Sequence, residues 1–128
     1  MAPPDRDALR PAAELTPLSV IGRTVVATLS GDLTEAMLQL LRDDLLARVH
    51  RVRAQAVVFD VSSLPLIDPW EFEQLRQTAA MVHLLGARAI LAGLQPAAVE
   101  VLAAVDVVFD GFDATVLTVD AALQLGKQ

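Results

Sequence analysis

The sequence predicts a single α/β domain in which a mostly parallel β-sheet is covered by helices. The chain has 128 residues, about the length of one domain, and 54% of them are hydrophobic, which is enough for a packed core. Short β-rich runs alternate with longer segments whose apolar residues recur every three or four positions. Strands that are joined through helices run mostly parallel, so this alternation predicts a parallel or mixed sheet.

The first residues predict a leader and then a β-hairpin. Residues 1–13 hold three prolines and alternating charges, and we interpret them as a flexible leader to a domain over 14–128. Leu18–Ile21 and Thr24–Leu29 are β-rich runs on either side of Gly22 and Arg23, which form a two-residue turn signal. An N-terminal hairpin is therefore expected.

Four helices and three further strands follow in the predicted order β-β-α-β-α-β-α-β-α. Ala56–Phe59 and Ala89–Ala92 are apolar without alternation, as in strands that are covered on both faces. A short strand is expected over Ala114–Leu117. The residues expected to begin the four helices are Thr34, Pro69, Pro96 and Thr118. The predicted inward stripes of the first two helices are Leu38, Leu41, Leu45, Val49 and Val52, then Phe72, Leu75, Ala79 and Val82.

The composition argues against several classes of function. Cysteine is absent, which excludes disulfides, a thiol nucleophile and thiolate metal sites. The net charge of −6 disfavours nucleic acid and anionic membrane surfaces as partners. No window approaches the roughly 18 apolar residues of a membrane span, and the N-terminus has no apolar signal region. We expect a cytoplasmic protein that binds neither nucleic acid nor membranes.

No group of residues predicts catalysis, and we expect no catalytic residue, metal or cofactor. His50 and His83 lie near the ends of different helices, without a carboxylate or second histidine at metal-ligand spacing. The acids Asp68, Glu71 and Glu73 are better explained as helix N-terminal residues that favour the dipole than as metal ligands. Phosphate-loop, dinucleotide and serine-hydrolase motifs are missing.

The most informative segment is the loop from Asp60 to Trp70, which joins a central strand to the second helix. Sites in parallel sheets gather where strands end and helices begin. We expect Leu66 and Ile67 to fill the core, and Leu64 and Trp70 to remain at the surface. An apolar surface with an aromatic anchor and an acidic rim is typical of a protein-binding patch. The predicted partner-binding residues are Ser62, Ser63, Leu64, Asp68, Pro69, Trp70 and Glu71.

This loop resembles the signature of STAS domains, the fold of anti-sigma-factor antagonists. The signature is carried by Asp60-Val61-Ser62 and Leu66-Ile67-Asp68, and the resemblance extends from about Leu15 to Leu125. Two further pieces, Leu85-Gly86-Ala87 before a strand and Ala92-Gly93-Leu94-Gln95-Pro96 after it, are most similar to the RsbS and RsbR scaffold proteins of the stressosome.

The resemblance implies a regulator that works by partner switching. Its implied partners are a switch-protein kinase or anti-sigma factor of the RsbT type and other STAS-domain proteins, in a homo- or hetero-oligomer. In such families the kinase phosphorylates a Ser or Thr directly after the aspartate, and the added charge releases the partner. Here that position is Pro69, and the second acceptor position of stressosome proteins corresponds to Val101, so neither has a hydroxyl. Ser63 is an alternative acceptor, whereas a serine at the position of Ser62 is common in the family for structural reasons.

Three hypotheses therefore follow from the sequence. The leading one is a scaffold or antagonist that lacks the usual phosphorylation switch. The second is a STAS-like domain that senses a small ligand, a nucleotide or lipid, beside the 60–70 loop. The third is a small enzyme of unknown chemistry.

Overall fold

The computed structural model describes residues 18–107 and 110–127. The predicted leader over 1–13 lies outside them, as do the first residues of the predicted domain. The strands are β1 (Leu18–Ile21), β2 (Thr24–Thr28), β3 (Ala56–Asp60), β4 (Arg88–Ala92) and β5 (Ala114–Val116). The helices in the described ranges are α1 (Glu35–Val52), α2 (Pro69–Leu84), α3 (Pro96–Ala104) and α4 (Val119–Gly126).

The five strands form one mixed sheet in the order β1-β2-β3-β4-β5. β1 and β2 pair antiparallel around the predicted two-residue turn, with Ile21 opposite Thr24 and Gly22 at φ 62°. All other pairs are parallel, and Val25, Val57 and Ala89 stand side by side across the centre of the sheet. The predicted fold class, with its N-terminal hairpin, is confirmed.

One face of the sheet packs against α1, α2 and α3. Because crossovers between parallel strands are right-handed and the strand order follows the chain, successive connecting helices fall on the same face. Alternate strand residues point to that face, among them Val25, Val57 and Phe59. The predicted inward stripes are buried there except for Val52, which is partly buried: Leu38, Leu41, Leu45, Val49, Phe72, Leu75, Ala79 and Val82.

The opposite face is covered by α4. The intervening strand residues, Val26, Val58 and Ile90, form a smaller cluster with Ala122 of this helix. α4 packs closely against β2 at Gly126, where only glycine fits, because an added Cβ would lie 2.8 Å from Thr24 Oγ1. Both faces of the central strands are therefore buried, as their continuous apolar sequence predicted.

The predicted helix starts are confirmed where side chains act as caps. Thr34 accepts a hydrogen bond from the Met37 N–H, and Thr118 accepts one from the Ala121 N–H. Pro69 and Pro96 occupy first-turn positions of α2 and α3. Within the described part of the chain, no helix combines the length and apolar character that a membrane span needs.

Two polar contacts fasten the segment before β5 to α2. The Arg76 guanidinium is paired with Glu73 and with Asp110, and also donates to the Asp110 carbonyl at 2.9 Å. His83 Nε2 lies 2.6 Å from Asp113 Oδ2, which also accepts the Ala89 N–H at 2.7 Å. Both contacts join residues more than 29 positions apart, so the fold alone brings these groups together.

Candidate functional site

The candidate site lies where β2, β3 and β4 end. Backbone hydrogen bonds continue one residue past these strands, from the Leu29 N–H to the Asp60 carbonyl (3.0 Å) and from the Val61 N–H to the Ala92 carbonyl (2.9 Å). The loops that follow the three strands are thereby held side by side. The predicted 60–70 loop is the central one of the three.

The start of this loop is fixed by a local turn and a tight contact. Asp60 Oδ1 accepts hydrogen bonds from the Ser62 N–H (3.0 Å) and the Ser62 hydroxyl (2.6 Å). The Ser62 carbonyl accepts a hydrogen bond from Gln95 Nε2 at 3.0 Å. Gly93, at φ 82°, lies so close that an added Cβ would be 2.7 Å from Ser62 Cβ. Ser62 is exposed, but its hydroxyl is engaged in holding the turn.

The end of the loop is fixed by a capping box. Asp68 accepts a hydrogen bond from the Glu71 N–H at 2.7 Å, and Glu71 Oε1 accepts one from the Asp68 N–H at 2.9 Å. Pro69 sits between them at the first helical position, where a missing N–H has no cost. The interpretation of these acids as helix N-terminal residues agrees with this geometry.

The structure corrects the expected orientation of two leucines. Leu64 is only 4% exposed and belongs to the main core, although it was expected at the surface. Leu66 is 58% exposed, although it was expected in the core, whereas Ile67 is buried as expected. The reason is the turn at Val61, whose carbonyl accepts the Leu64 N–H at 3.0 Å and directs Leu64 inward. Leu64 is therefore not available to a partner.

The exposed residues of the loop form a surface that combines apolar and acidic side chains. Trp70 is 45% exposed and Leu66 is its exposed apolar neighbour in the loop. Ser63, Asp68 and Pro69 are also exposed, and Glu71 is partly buried. The Ser63 hydroxyl makes no hydrogen bond to any residue that the structure describes. The docking surface is defined as the following residues: Ser62, Ser63, Leu66, Asp68, Pro69, Trp70 and Glu71.

A cavity of about 460 Å³ lies between the docking surface and the loop after β2. Its walls carry two carboxylates, those of Asp32 and Glu71, and no cationic side chain. Burial raises the pKa of Glu71, and the charges of Asp68 and Asp32 raise it further, against the hydrogen bond from the Asp68 backbone. The remaining lining residues are Gly31, Leu33, Thr34, Ser63, Leu64, Pro65 and Leu66. The cavity is therefore an anionic environment.

Histidine, aspartate and glutamate are the side chains of this domain that could bind a metal ion. Among residues 18–107 and 110–127, no three His, Asp or Glu side chains are grouped so that they could hold a metal ion. His50 is exposed in the last turn of α1. His83 differs from the expectation, because the fold supplies Asp113 as a partner that sequence spacing did not reveal. Val101, which the resemblance assigned to the second acceptor position, is exposed on α3.

The fold and this strand-end loop define a STAS domain. The family model described as STAS domain matches residues 16–122, so the chain belongs to the STAS domain family. The family named from the loop motifs is thereby confirmed.

Several known proteins are similar to the chain. The RsbT co-antagonist protein RsbRA of Bacillus subtilis is 28% identical over 79 residues, which cover 62% of this chain and 29% of that protein. A serine-to-glutamate variant of RsbS from Moorella thermoacetica superposes with a TM-score of 0.74 at 23% identity, covering 88% of this chain and 94% of that one. The solved structure of the anti-sigma factor antagonist SpoIIAA in its unphosphorylated form superposes with a TM-score of 0.65 at 17% identity, covering 88% of this chain and 97% of that one.

One part of the site was not anticipated from the sequence. The loop after β2 contributes Asp32 to the cavity opposite Glu71. The signal that could have found it was the same as for the 60–70 loop, since this segment also joins a strand end to a capped helix.

Proposed function

We propose that this STAS domain is a non-catalytic regulator or scaffold in a partner-switching pathway and binds a kinase-like anti-sigma factor through the docking surface. The observation that carries the proposal is the exposure of Trp70 and Leu66, four residues apart in an acidic loop whose two ends are fixed by hydrogen bonds. Large exposed aromatic side chains with an apolar neighbour and a polar rim are the usual anchors of protein interfaces.

The similarity to stressosome-type proteins supports the choice of partner. The Bacillus subtilis relative is named a co-antagonist of RsbT, and the chain spans 29% of its length. We therefore propose an RsbT-type switch kinase and other STAS domains as binding partners of this chain. We further propose that binding takes place in an assembly of several STAS domains.

We also propose that the usual phosphorylation switch is absent. Pro69 stands directly after Asp68 and has no hydroxyl, so the kinase would have no acceptor at this position. The Ser62 hydroxyl is bonded to Asp60, and a phosphate there would break the turn. Ser63 is the alternative acceptor in the loop, because it is exposed and its hydroxyl is unengaged within the described residues. Binding to the kinase would then be constitutive.

Calorimetric titration with a purified RsbT-type kinase tests the proposal. Trp70→Ala is expected to weaken binding by about 2 kcal/mol, or roughly thirtyfold, because a buried aromatic anchor is lost. Its melting temperature should stay close to that of the parent, since the side chain is half exposed in the free protein. Leu84→Ala is the matched control, because Leu84 is 86% exposed at the far end of α2. Equal affinities for both variants would contradict the assignment of the docking surface.

The cavity gives the ligand-sensing alternative a specific location. Its volume of about 460 Å³ lies in the range of small-molecule sites. Its carboxylates at Asp32 and Glu71 repel phosphate, however, which disfavours a nucleotide or an anionic lipid. A thermal-shift screen separates the two functions, because a ligand at 100 times its dissociation constant stabilises the fold by about 2.7 kcal/mol. A hit from the nucleotide or lipid set would favour the sensing function.

A further inference from the structure

A second cavity, of about 270 Å³, opens at the end of the sheet opposite the docking surface. It is formed where the hairpin turn, the end of α1 and the segment before β4 meet, at the amino ends of the parallel strands. The described residues that line it are Arg23, Val49, His50, Arg53, Ala54, Leu85 and Gly86. Because the docking surface follows the carboxyl end of β3, the two sites lie at opposite ends of the same strands.

This cavity is a basic environment. Two arginines and a histidine line it, and its described lining includes no Asp or Glu. Elsewhere in the described structure Arg76 and His83 have carboxylate partners, whereas Arg23, His50 and Arg53 form no ion pair with a described carboxylate. At physiological salt, charges more than about 8–10 Å apart are largely screened from each other. A ligand in the cavity is therefore governed by these cations rather than by the net charge of −6.

The Arg23 guanidinium is fixed at the cavity without being neutralised. Its Nε and Nη2 donate to the Arg53 carbonyl at 3.2 and 3.0 Å. The Arg23 carbonyl in turn accepts the Gln55 N–H at 2.7 Å, so the hairpin turn and the end of α1 are joined by three hydrogen bonds. A guanidinium has five N–H donors. Since two are engaged within the described residues, three remain for a ligand.

The dipole of α1 explains only part of this arrangement. Cations are favoured in the last turn of a helix, which accounts for His50 and Arg51. It does not account for Arg23, which lies in the hairpin turn. Arg53 stands at φ 52°, in the left-handed position after the helix where glycine or asparagine is usual. Arginine at this position adds a charge to the lining of the cavity that either of those residues would omit.

The size and lining of the cavity restrict what it can hold. Its volume lies below the roughly 300–1,000 Å³ of sites for drug-sized ligands, so only a small molecule fits. Carboxylate and phosphate groups match the donor geometry of a guanidinium. Val49, Ala54 and the half-exposed Leu85 supply apolar surface beside the cations. A matching ligand therefore combines one anionic group with a short hydrocarbon part.

We infer that this cavity binds a small organic anion, with a carboxylate or phosphate group on a short, branched apolar body. The anionic group binds Arg23 and Arg53, and the apolar body contacts Val49 and Leu85. The inference goes beyond the proposed function and does not depend on it. Because the cavity and the docking surface lie at opposite ends of the strands, an occupied cavity leaves the docking surface open to its partners.

Nuclear magnetic resonance titration of the full, ¹⁵N-labelled chain at constant ionic strength tests the inference, with isobutyrate and isobutyl phosphate as ligands. At least one of them should shift the amide signals of Arg23, Arg53 and Gly86 saturably, with a dissociation constant on the order of 1–10 mM, as ligands of about six to nine non-hydrogen atoms can reach. Isobutyramide, which is neutral, should leave these signals unchanged. If isobutyrate binds, acetate should bind about tenfold more weakly, because it lacks the branched body.

Three results of this titration would overturn the inference. The first is the absence of saturable shifts with both anions up to about 50 mM, well above the expected dissociation constant. The second is isobutyramide binding as tightly as the anions. The third is acetate binding as tightly as isobutyrate, which would mean that the apolar surface contributes nothing.

Two pairs of variants test the location of the site with the ligand that binds the parent. Leu85→Glu adds a carboxylate to the cavity wall and should weaken binding by about tenfold or more, because like charges then face each other. Leu84→Glu is its matched control, since Leu84 is 86% exposed and does not belong to the described lining. Arg23→Gln should weaken binding by about tenfold, whereas Arg51→Gln, at an exposed arginine of the same helix end, should change it by less than about twofold.

Equal effects within each pair would overturn the inference, since they would mean that the anion responds to the overall charge of the chain and not to this cavity. Circular dichroism checks that the variants fold. Arg23→Gln also removes hydrogen bonds to the Arg53 carbonyl; if it does not fold, the two leucine variants decide, because Leu84 and Leu85 are exposed and their side chains make no hydrogen bonds.

Discussion

Gly93→Ala adds a methyl group at the closest backbone contact of the site. Gly93 follows β4 with φ 82°, and the new Cβ would lie 2.7 Å from Ser62 Cβ, 2.9 Å from Ser62 Cα and 3.0 Å from Ser62 N. All three atoms belong to the turn that begins the docking surface. The turn cannot move away freely, because Ser62 is bonded to Asp60 and to Gln95.

The expected loss of stability has two parts that a control separates. A side chain at this positive φ costs about 1–2 kcal/mol, partly offset by the stiffer unfolded chain. Overpacking against Ser62 adds about 1–3 kcal/mol. Gly86 has nearly the same φ, 86°, but nothing within 4 Å of its added Cβ. Gly86→Ala should therefore lose about 1 kcal/mol, and Gly93→Ala about 2–4 kcal/mol.

Urea denaturation of the two variants measures this difference. The midpoints of unfolding should separate while the slopes remain equal, since neither substitution changes the surface exposed on unfolding. Gly93→Ala should also weaken kinase binding beyond what Gly86→Ala does, because the docking surface shifts with Ser62. Equal losses of stability for the two variants would refute the reasoning, since they would mean that Ser62 can move away from the added methyl group without a loss of free energy of unfolding.

Three further predictions concern the loop and the segment before β5. Leu64→Ala should cost about 2–4 kcal/mol because it leaves a core cavity, whereas Leu66→Ala should leave the midpoint of unfolding nearly unchanged and weaken partner binding. Pro69→Ser should fold with a loss of about 1 kcal/mol or less and, unlike the parent, gain one phosphate in intact-mass measurements with kinase and ATP. Hydrogen bonds from Ala89 and His83 and nearby positive charge outweigh partial burial and lower the pKa of Asp113 from 3.8. The ionised Asp113 carboxylate therefore stabilises the folded state above pH 3.8, and this contribution disappears as the pH falls through the lowered pKa. Asp113→Asn should therefore reduce the free energy of unfolding at neutral pH by about 1 kcal/mol or less. Its stability should also fall less than that of the parent as the pH drops through this range.

Distinct outcomes would contradict each of these predictions. Equal stability losses for the two leucine variants would mean that the loop repacks around either side chain. A parent chain that gains phosphate as readily as Pro69→Ser would point to Ser63 and end the claim of an unswitchable domain. An Asp113→Asn variant whose acid unfolding curve overlays that of the parent would mean that the contact with His83 adds no stability.

The fold was predictable because its signals are local and periodic. The apolar runs Ala56–Phe59 and Ala89–Ala92 identified buried strands, and residues such as Leu38 and Leu41 at helical spacing identified the inward face of α1. Each of these patterns results from a repeating geometry that the chain must satisfy along its length. From the order of the elements, the connections between parallel strands were expected to be right-handed, and the strands joined through helices were expected to pair in parallel.

The details of the site were less predictable because loops have no period. Four apolar or proline residues follow one another from Leu64, and nothing in that run distinguishes the buried Leu64 from the exposed Leu66. Asp113 and His83 are 30 residues apart, so no spacing rule connects them. The location of the site was still predictable, because strand ends in a parallel sheet meet at one edge.

The strand order also has a consequence for biosynthesis. Each strand pairs with the strand made just before it, so the sheet can grow on the ribosome without waiting for distant segments. The part of this face that Val26, Val58 and Ile90 form is present once β4 has been made, at Ala92. Its cover, α4, ends 34 residues later, at Gly126. At about 5–20 residues per second this interval lasts about 2–7 s. During that time an apolar sheet face is open to nascent-chain chaperones or to a neighbouring chain on the same polysome.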